Sequence, residues 1–149
     1  MYSAQLLDHF QHPRNAGEIA HPDAVAEIEN PACGDVLRIS LKTGLRAITQ
    51  APITGVSIAH ASINQVSINQ VSINQVSITQ VKFKAKGCVA AIACGSALTE
   101  LVEGKTAEQA RKLTGEDVIA AVGGLPKGST HAAQLALDAL AAALGQLRV

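Results

Sequence analysis

Between Arg46 and Ala85 the chain divides into eight five-residue units: RAITQ, APITG, VSIAH, ASINQ, VSINQ, VSINQ, VSITQ and VKFKA. The third residue of each is Ile (Ile48, Ile53, Ile58, Ile63, Ile68, Ile73, Ile78), with Phe83 in the last. From Ala51 to Val81 there is no Lys, Arg, Asp or Glu. A helix repeats its faces every 3.6 residues and a strand every 2. A period of five fits neither. In one straight strand Val66 and Ile68 would face one side, and Val71 and Ile73 the other. So uncharged and apolar a segment does not have the composition of a solvated linker. It calls for an ordered β-rich extension in which the chain changes direction, because an open array of Ile, Val, Asn and Gln would aggregate.

The pentads are similar to the pentapeptide-repeat β-helix, whose units carry a central large apolar residue and a small residue two before it. Eight units would make about two coils, few for a solenoid. The competing reading is repeat expansion within a surface loop, where added length costs little closure entropy.

Outside the pentads the pattern is that of one ordinary domain. The 149 residues are 48% apolar but only 2% aromatic, so the core has to be built from Ala, Leu, Ile and Val. Twelve basic residues balance twelve acidic ones. That leaves no electrostatic footprint for nucleic acid and no basic cluster for an anionic membrane surface. Asp8 and His9 interrupt the N-terminal stretch where an export signal would be apolar, and no apolar run reaches membrane-spanning length. Three cysteines in such a chain argue for reduced thiols or metal ligands, and for a cytoplasmic protein.

Ser3 is an expected N-cap for a short helix carrying Leu6, Leu7 and Phe10 and stopped by Pro13. Val25–Ile28 and Val36–Leu41 read as strands, with Lys42-Thr43-Gly44 as a turn. Cys88 precedes a helical stripe of Val89, Ile92, Ala93, Leu98, Leu101 and Val102 that Gly104 ends. Thr106 to Gln109 forms a capping box, and Thr114 opens another helix, ended by Gly123-Gly124. Ser129 or Thr130 caps a long Ala/Leu-rich helix to about Leu147. The class is therefore α+β: a small antiparallel sheet packed against C-terminal helices, with the pentads as an inserted extension.

Four residues carry chemistry. Cys33 and Asp35 flank Gly34, and residues two apart share a face of extended backbone. Cys88 stands before a helix, whose dipole favours the thiolate that metals require. His131 lies in the first turn of another helix. Two thiolates, one carboxylate and one imidazole could satisfy tetrahedral zinc, or hold an iron–sulfur cluster with mixed ligation. Cys94, in an Ala/Ile stretch, reads as core. His9 and His12 flank a short helix and are expected to face solvent, while His21 and His60 are given no role. No nucleophile–base pair or phosphate loop is visible, so an enzyme with its own turnover is not expected.

At these residues the chain resembles the iron–sulfur cluster assembly scaffolds of the IscU/NifU family. The likeness runs from Tyr2-Ser3 through Leu7-Asp8-His9 to Pro13-Arg14-Asn15-Ala16-Gly17, and through Asn30-Pro31-Ala32-Cys33-Gly34-Asp35. It continues in Phe83-Lys84, Gly87-Cys88, Ala91-Ile92-Ala93, Ser96-Ala97-Leu98-Thr99-Glu100 and Gly104-Lys105-Thr106. Leu125-Pro126 and His131, leading into Leu135-Ala136-Leu137-Asp138-Ala139-Leu140, complete it. The resemblance implies a protein that receives sulfur from a cysteine desulfurase, assembles a [2Fe–2S] cluster and passes it to apo iron–sulfur proteins. It implies Cys33, Cys88 and His131 as ligands of that cluster, of iron or of zinc, and Asp35 as the aspartate that keeps the cluster labile.

The chain departs from the family at three places. Relatives carry a cysteine directly after the histidine, a ligand and sulfur acceptor; here Ala132 stands there. Their chaperone-binding Leu-Pro-Pro-Val-Lys reads Leu125-Pro126-Lys127-Gly128-Ser129, which argues against docking of a dedicated Hsp70. Cys33 and Cys88 are 55 apart, and removing the six pentads Ala51–Gln80 would leave 25, close to the family's usual spacing. The pentads are thus expected to be an insertion at the tip of one β-hairpin of a single domain spanning residues 1–149. The alternative to a working scaffold is a zinc-binding, assembly-inactive paralogue, or an interaction protein that uses the pentads, also a candidate surface for homo-oligomers.

Overall fold

Strand β2 (Val36–Leu45) organises the fold, pairing antiparallel with β1 (Ala24–Glu29) on one side and β3 (Val76–Lys86) on the other. The computed structural model describes residues 2–45 and 76–147. Leu37, Ile39 and Leu41 alternate inward on β2 and are fully buried, as their period of two demands. On β3 the buried apolar residues are Ile78, Val81 and Phe83, which do not alternate. A register irregularity explains this: Lys42 pairs with Gln80 but Thr43 pairs with Ile78, so Thr79 is an extra residue. The bulge shifts the parity of the strand and turns Ile78 inward beside Val81. The mismatch between a period of five and a period of two is absorbed here by one inserted residue.

Two expectations change at this end of the sheet. Lys42-Thr43-Gly44 is not a turn; these residues continue β2 and pair as far as Leu45 with Val76. Asp23 accepts the Thr43 N–H at 2.8 Å and its hydroxyl at 3.0 Å, tying this part of β2 to the residue before β1. The last complete pentad of uncharged residues, Val76–Gln80, belongs to β3. The pentads before it lie outside the described residues, so neither a coil nor a flat hairpin is assigned to them.

Helix α1 (Ala4–Gln11) is capped by Ser3, whose hydroxyl accepts the Leu6 N–H and donates to the Val122 carbonyl. Cys88 caps α2 (Val89–Val102), which lies across β3 and is buried over most of its length. Helices α3 (Ala107–Arg111) and α4 (Gly115–Ala121) both begin with capping boxes, the one at Thr106 as anticipated and the one at Thr114 where only a helix start was expected. A 3₁₀ turn, Lys127–Ser129, then leads into α5 (Thr130–Leu144), which packs on β1 and β2. Ser129 makes no side-chain cap bond, and the helix stops at Leu144 rather than near Leu147. Where aromatic side chains would normally fill space, alanines let the layers approach. Gly95 has no room for even a methyl group, since a Cβ there would fall 2.6 Å from the Phe83 ring.

The sheet edges are closed by the chain itself. Asn15 and Gly17 pair with Phe83 on the outer edge of β3, and the Lys105 carbonyl accepts the Ile78 N–H. On β1, the Gln146 amide bonds both the N–H and the carbonyl of Val25. Among the described residues no helix is long and apolar enough to cross a membrane.

His9, expected in solvent, is only 7% exposed. It lies three residues after the buried Leu6, on the face of α1 that packs against α2. Its Nδ1 is 2.7 Å from the Ser96 hydroxyl, which also accepts the Arg14 N–H. Burial, and then the Arg14 charge, lower the imidazole's affinity for a proton, against the opposing pull of Glu100 and Asp8. The unfolded chain, with an ordinary value of 6.5, therefore takes up the proton first. Stability is expected to fall as pH drops from the unfolded value through the lowered folded one. Urea midpoints compared at pH ~7.5 and ~5 should decline in the wild type and decline less in His9→Asn.

Candidate metal centre

The site is assembled where the β2–β3 ladder runs out. Asn30 organises the loop before β2: its carbonyl accepts the N–H of Cys33 (3.3 Å) and of Gly34 (2.7 Å), and its N–H donates to the Asp35 carbonyl (2.8 Å). Its side-chain oxygen accepts the Ala32 N–H at 2.9 Å. Gly34 adopts φ +78°, a conformation that costs an L-residue energy and lets the chain reverse between Cys33 and Asp35. The result is an exposed Cys33 beside an Asp35 that is 5% exposed. Asn30 was visible in the sequence only as part of a motif; its role as loop organiser depends on backbone bonds that no pattern displays.

A buried carboxylate needs donors. Asp35 Oδ1 accepts the Cys88 N–H at 3.2 Å and Oδ2 accepts the Cys88 thiol at 3.1 Å. His131 Nε2 is 3.8 Å from the same Oδ2. Ligand atoms of Cys33, Asp35 and His131 lie within 4.8 Å of one another. The structure thus brings all four sequence-selected residues together, with the carboxylate at the centre and Cys88 on the side of α2. Burial alone would push the Asp35 carboxyl up. The Cys88 and Cys33 thiols, the Cys88 N–H and the His131 charge outweigh it and hold the group below its ordinary 3.8.

The thiol of Cys88 behaves differently from what its helix position suggests. Its Sγ accepts the Ala91 N–H at 3.4 Å, a bond that favours the thiolate. Burial and the neighbouring Asp35 carboxylate nevertheless raise it above the ordinary 9.0. In the absence of a cation Cys88 is therefore a proton donor to Asp35. Cys94 is fully buried and pushed up to about 12, in keeping with a core residue. Ala132 follows His131 but is itself fully buried in the main core, so it offers the site a methyl group and no donor. Two open clefts flank His131. One runs along Thr114, Glu116 and Gln134, the other along Glu29, Asn30 and Asp138. His12 and His21 take no part, the His21 carbonyl accepting from Lys42 Nζ; His60 lies outside the described residues.

Thiol labelling followed by mass spectrometry should find Cys33 alkylated first, Cys88 more slowly, and Cys94 only on unfolding. Asp35→Asn removes a charge that disfavours the Cys88 thiolate, and is expected to speed labelling of Cys88 while leaving Cys94 protected.

Residues 1–68 and 65–148 match the NifU-like N-terminal domain family. Over 144 residues the chain is 38% identical to the iron–sulfur cluster assembly scaffold protein IscU 1 of Archaeoglobus fulgidus, spanning 97% of this chain and 74% of that one. It is 33% identical over 143 residues to the iron–sulfur cluster assembly scaffold protein IscU of Aquifex aeolicus, spanning 96% of this chain and 73% of that one. The crystal structure of the N-terminal part of a NifU-like protein from Brucella abortus superposes with a TM-score of 0.60 at 18% identity, over 97% of this chain and 92% of that one. That likeness shows the fold.

Proposed function

This chain belongs to the family of NifU-like N-terminal domains, and on that footing we propose that it is a scaffold on which an iron–sulfur cluster is built and from which it is passed on. The observation that carries the reading is the Asp35 carboxylate held between Cys88 and His131, with Cys33 within reach. Cys33, Asp35, Cys88 and His131 are the proposed ligands of the incoming iron and of the finished [2Fe–2S] cargo. Thiolates suit iron–sulfur chemistry, and the imidazole is a known substitute for thiolate. The carboxylate is the hardest of the four donors and the weakest partner for the cluster, which is what a carrier needs if it is to let go.

The local geometry supports loading as well as release. Cys88 shares its proton with Asp35 Oδ2, so an arriving cation displaces one proton and gains both a thiolate and a carboxylate. Cys33 is exposed and His131 half-exposed, so two ligands can be reached from solvent by a sulfur donor of the cysteine desulfurase type and by an apo-protein acceptor. We further propose a single scaffold domain over residues 1–149, with the pentads of Ala51–Gln80 as an insertion within its β2–β3 hairpin. In support of this, Leu45 and Val76 stand at the end of the ladder opposite Asp35, roughly 30 Å away along about ten residues of strand.

Anaerobic reconstitution with iron, cysteine and a cysteine desulfurase tests the reading. Bound iron and acid-labile sulfide should be retained in near-equal amounts and lost in Cys33→Ala and Cys88→Ala. Asp35→Ala should retain the cluster and transfer it to an apo iron–sulfur protein about tenfold or more slowly. Retention of sulfide by Ala132→Cys alone would overturn the proposal and leave a metal-binding relative that no longer assembles clusters.

A further inference from the structure

The Asp35 carboxylate can sit where it does only because residue 87 has no side chain. The β2–β3 register ends at Val36 opposite Lys86, and continuing it by one step sets Asp35 opposite Gly87. Facing residues in an antiparallel pair normally keep their Cβ atoms ~4.5–5.5 Å apart. A Cβ on Gly87 would lie 2.9 Å from the Asp35 Cβ, 2.6 Å from its Cγ and 2.3 Å from Oδ1. The carboxylate is folded over the Gly87 α-carbon, and this is how it reaches the N–H and thiol of the next residue, Cys88. Gly34, on the other side of Asp35, is different: a Cβ there would meet nothing within 4 Å.

We infer that Gly87 is the positioning residue for Asp35, a vacant seat into which the carboxylate folds between Cys88 and His131. Any side chain at 87 pushes the carboxylate off Cys88, and the strand end cannot yield, because Lys86 is paired and Cys88 is bound into α2 as its cap. Gly87 touches no ligand position itself; it acts through where Asp35 lies. The inference takes from the proposed function only the role of Asp35 as a ligand.

The test is a cycle of Gly87→Ala, Asp35→Gly and the double variant. In metal-free protein the readout is the Cys88 amide resonance, which reports the bond to Oδ1. The wild type and Asp35→Gly should differ clearly, whereas Gly87→Ala and the double variant should nearly coincide, the carboxylate having already left. The second readout is zinc affinity by competition with a chromophoric chelator. Gly87→Ala should weaken it about tenfold or more, and should have little further effect once Asp35 is Gly. If Gly87→Ala does not fold, folding of the double variant supports the seat, since removing the carboxylate and its Cβ removes the clash. Failure of the double variant to fold overturns it in favour of backbone strain at Gly87, whose φ of +157° an L-residue rarely adopts. A Cys88 resonance that still differs between Gly87→Ala and the double variant as wild type differs from Asp35→Gly also overturns it. Unchanged zinc affinity in Asp35→Gly would instead count against Asp35 as a ligand, and the amide resonance would still decide the seat.

Discussion

A carboxylate removed from water must be met by donors, and Asp35 meets them 53 positions along the chain, in the N–H and thiol of Cys88. That pair can form only if β2 and β3 align, if β3 ends at Lys86, and if the chain turns directly into α2. The N-cap of α2, the end of the sheet and the centre of the site are therefore one arrangement. A shift of the ladder by one residue would put Asp35 opposite a residue bearing a Cβ and turn Leu37, Ile39 and Leu41 away from the core.

The near absence of aromatic residues shapes the layers above the sheet. Ala90, Ala91, Ala93 and Ala97 on α2, with Ala132, Ala133, Ala136, Ala139 and Ala143 on α5, are all buried. Such helices pack closely, and Phe83 fits only because Gly95 leaves its ring room. Ala132 belongs to this layer, so it adds a methyl group to the core and no donor to the site. Among the described residues, the donors gathered at the candidate site are those of Cys33, Asp35, Cys88 and His131.

Much of this was legible in the residues. The alternation of Leu37, Ile39 and Leu41, the caps at Ser3, Thr106 and Thr114, and the glycine stops after α2 and α4 depend on interactions within a few positions, and the structure carries each of them. Cys33, Asp35, Cys88 and His131, the proposed ligands, could also be picked out as candidates from the residues, and the structure places them close together. His9 was misread because its burial depends on α2, whose face cannot be seen from α1. Lys42-Thr43-Gly44 looked like a turn because the sequence shows neither the Asp23 carboxylate that holds Thr43 nor the bulge at Thr79.

By itself, then, the sequence determined what is local: which segments are helical, where they begin, which β2 residues face inward, and which atoms could bind a metal. Only the tertiary structure decided what those atoms do to one another. The helix dipole at Cys88 favours a thiolate, yet burial and the Asp35 carboxylate raise the thiol instead. The reason is physical: capping and alternation act over two to four residues of chain, whereas the protonation of a thiol answers to whatever charge and whatever burial the fold brings next to it.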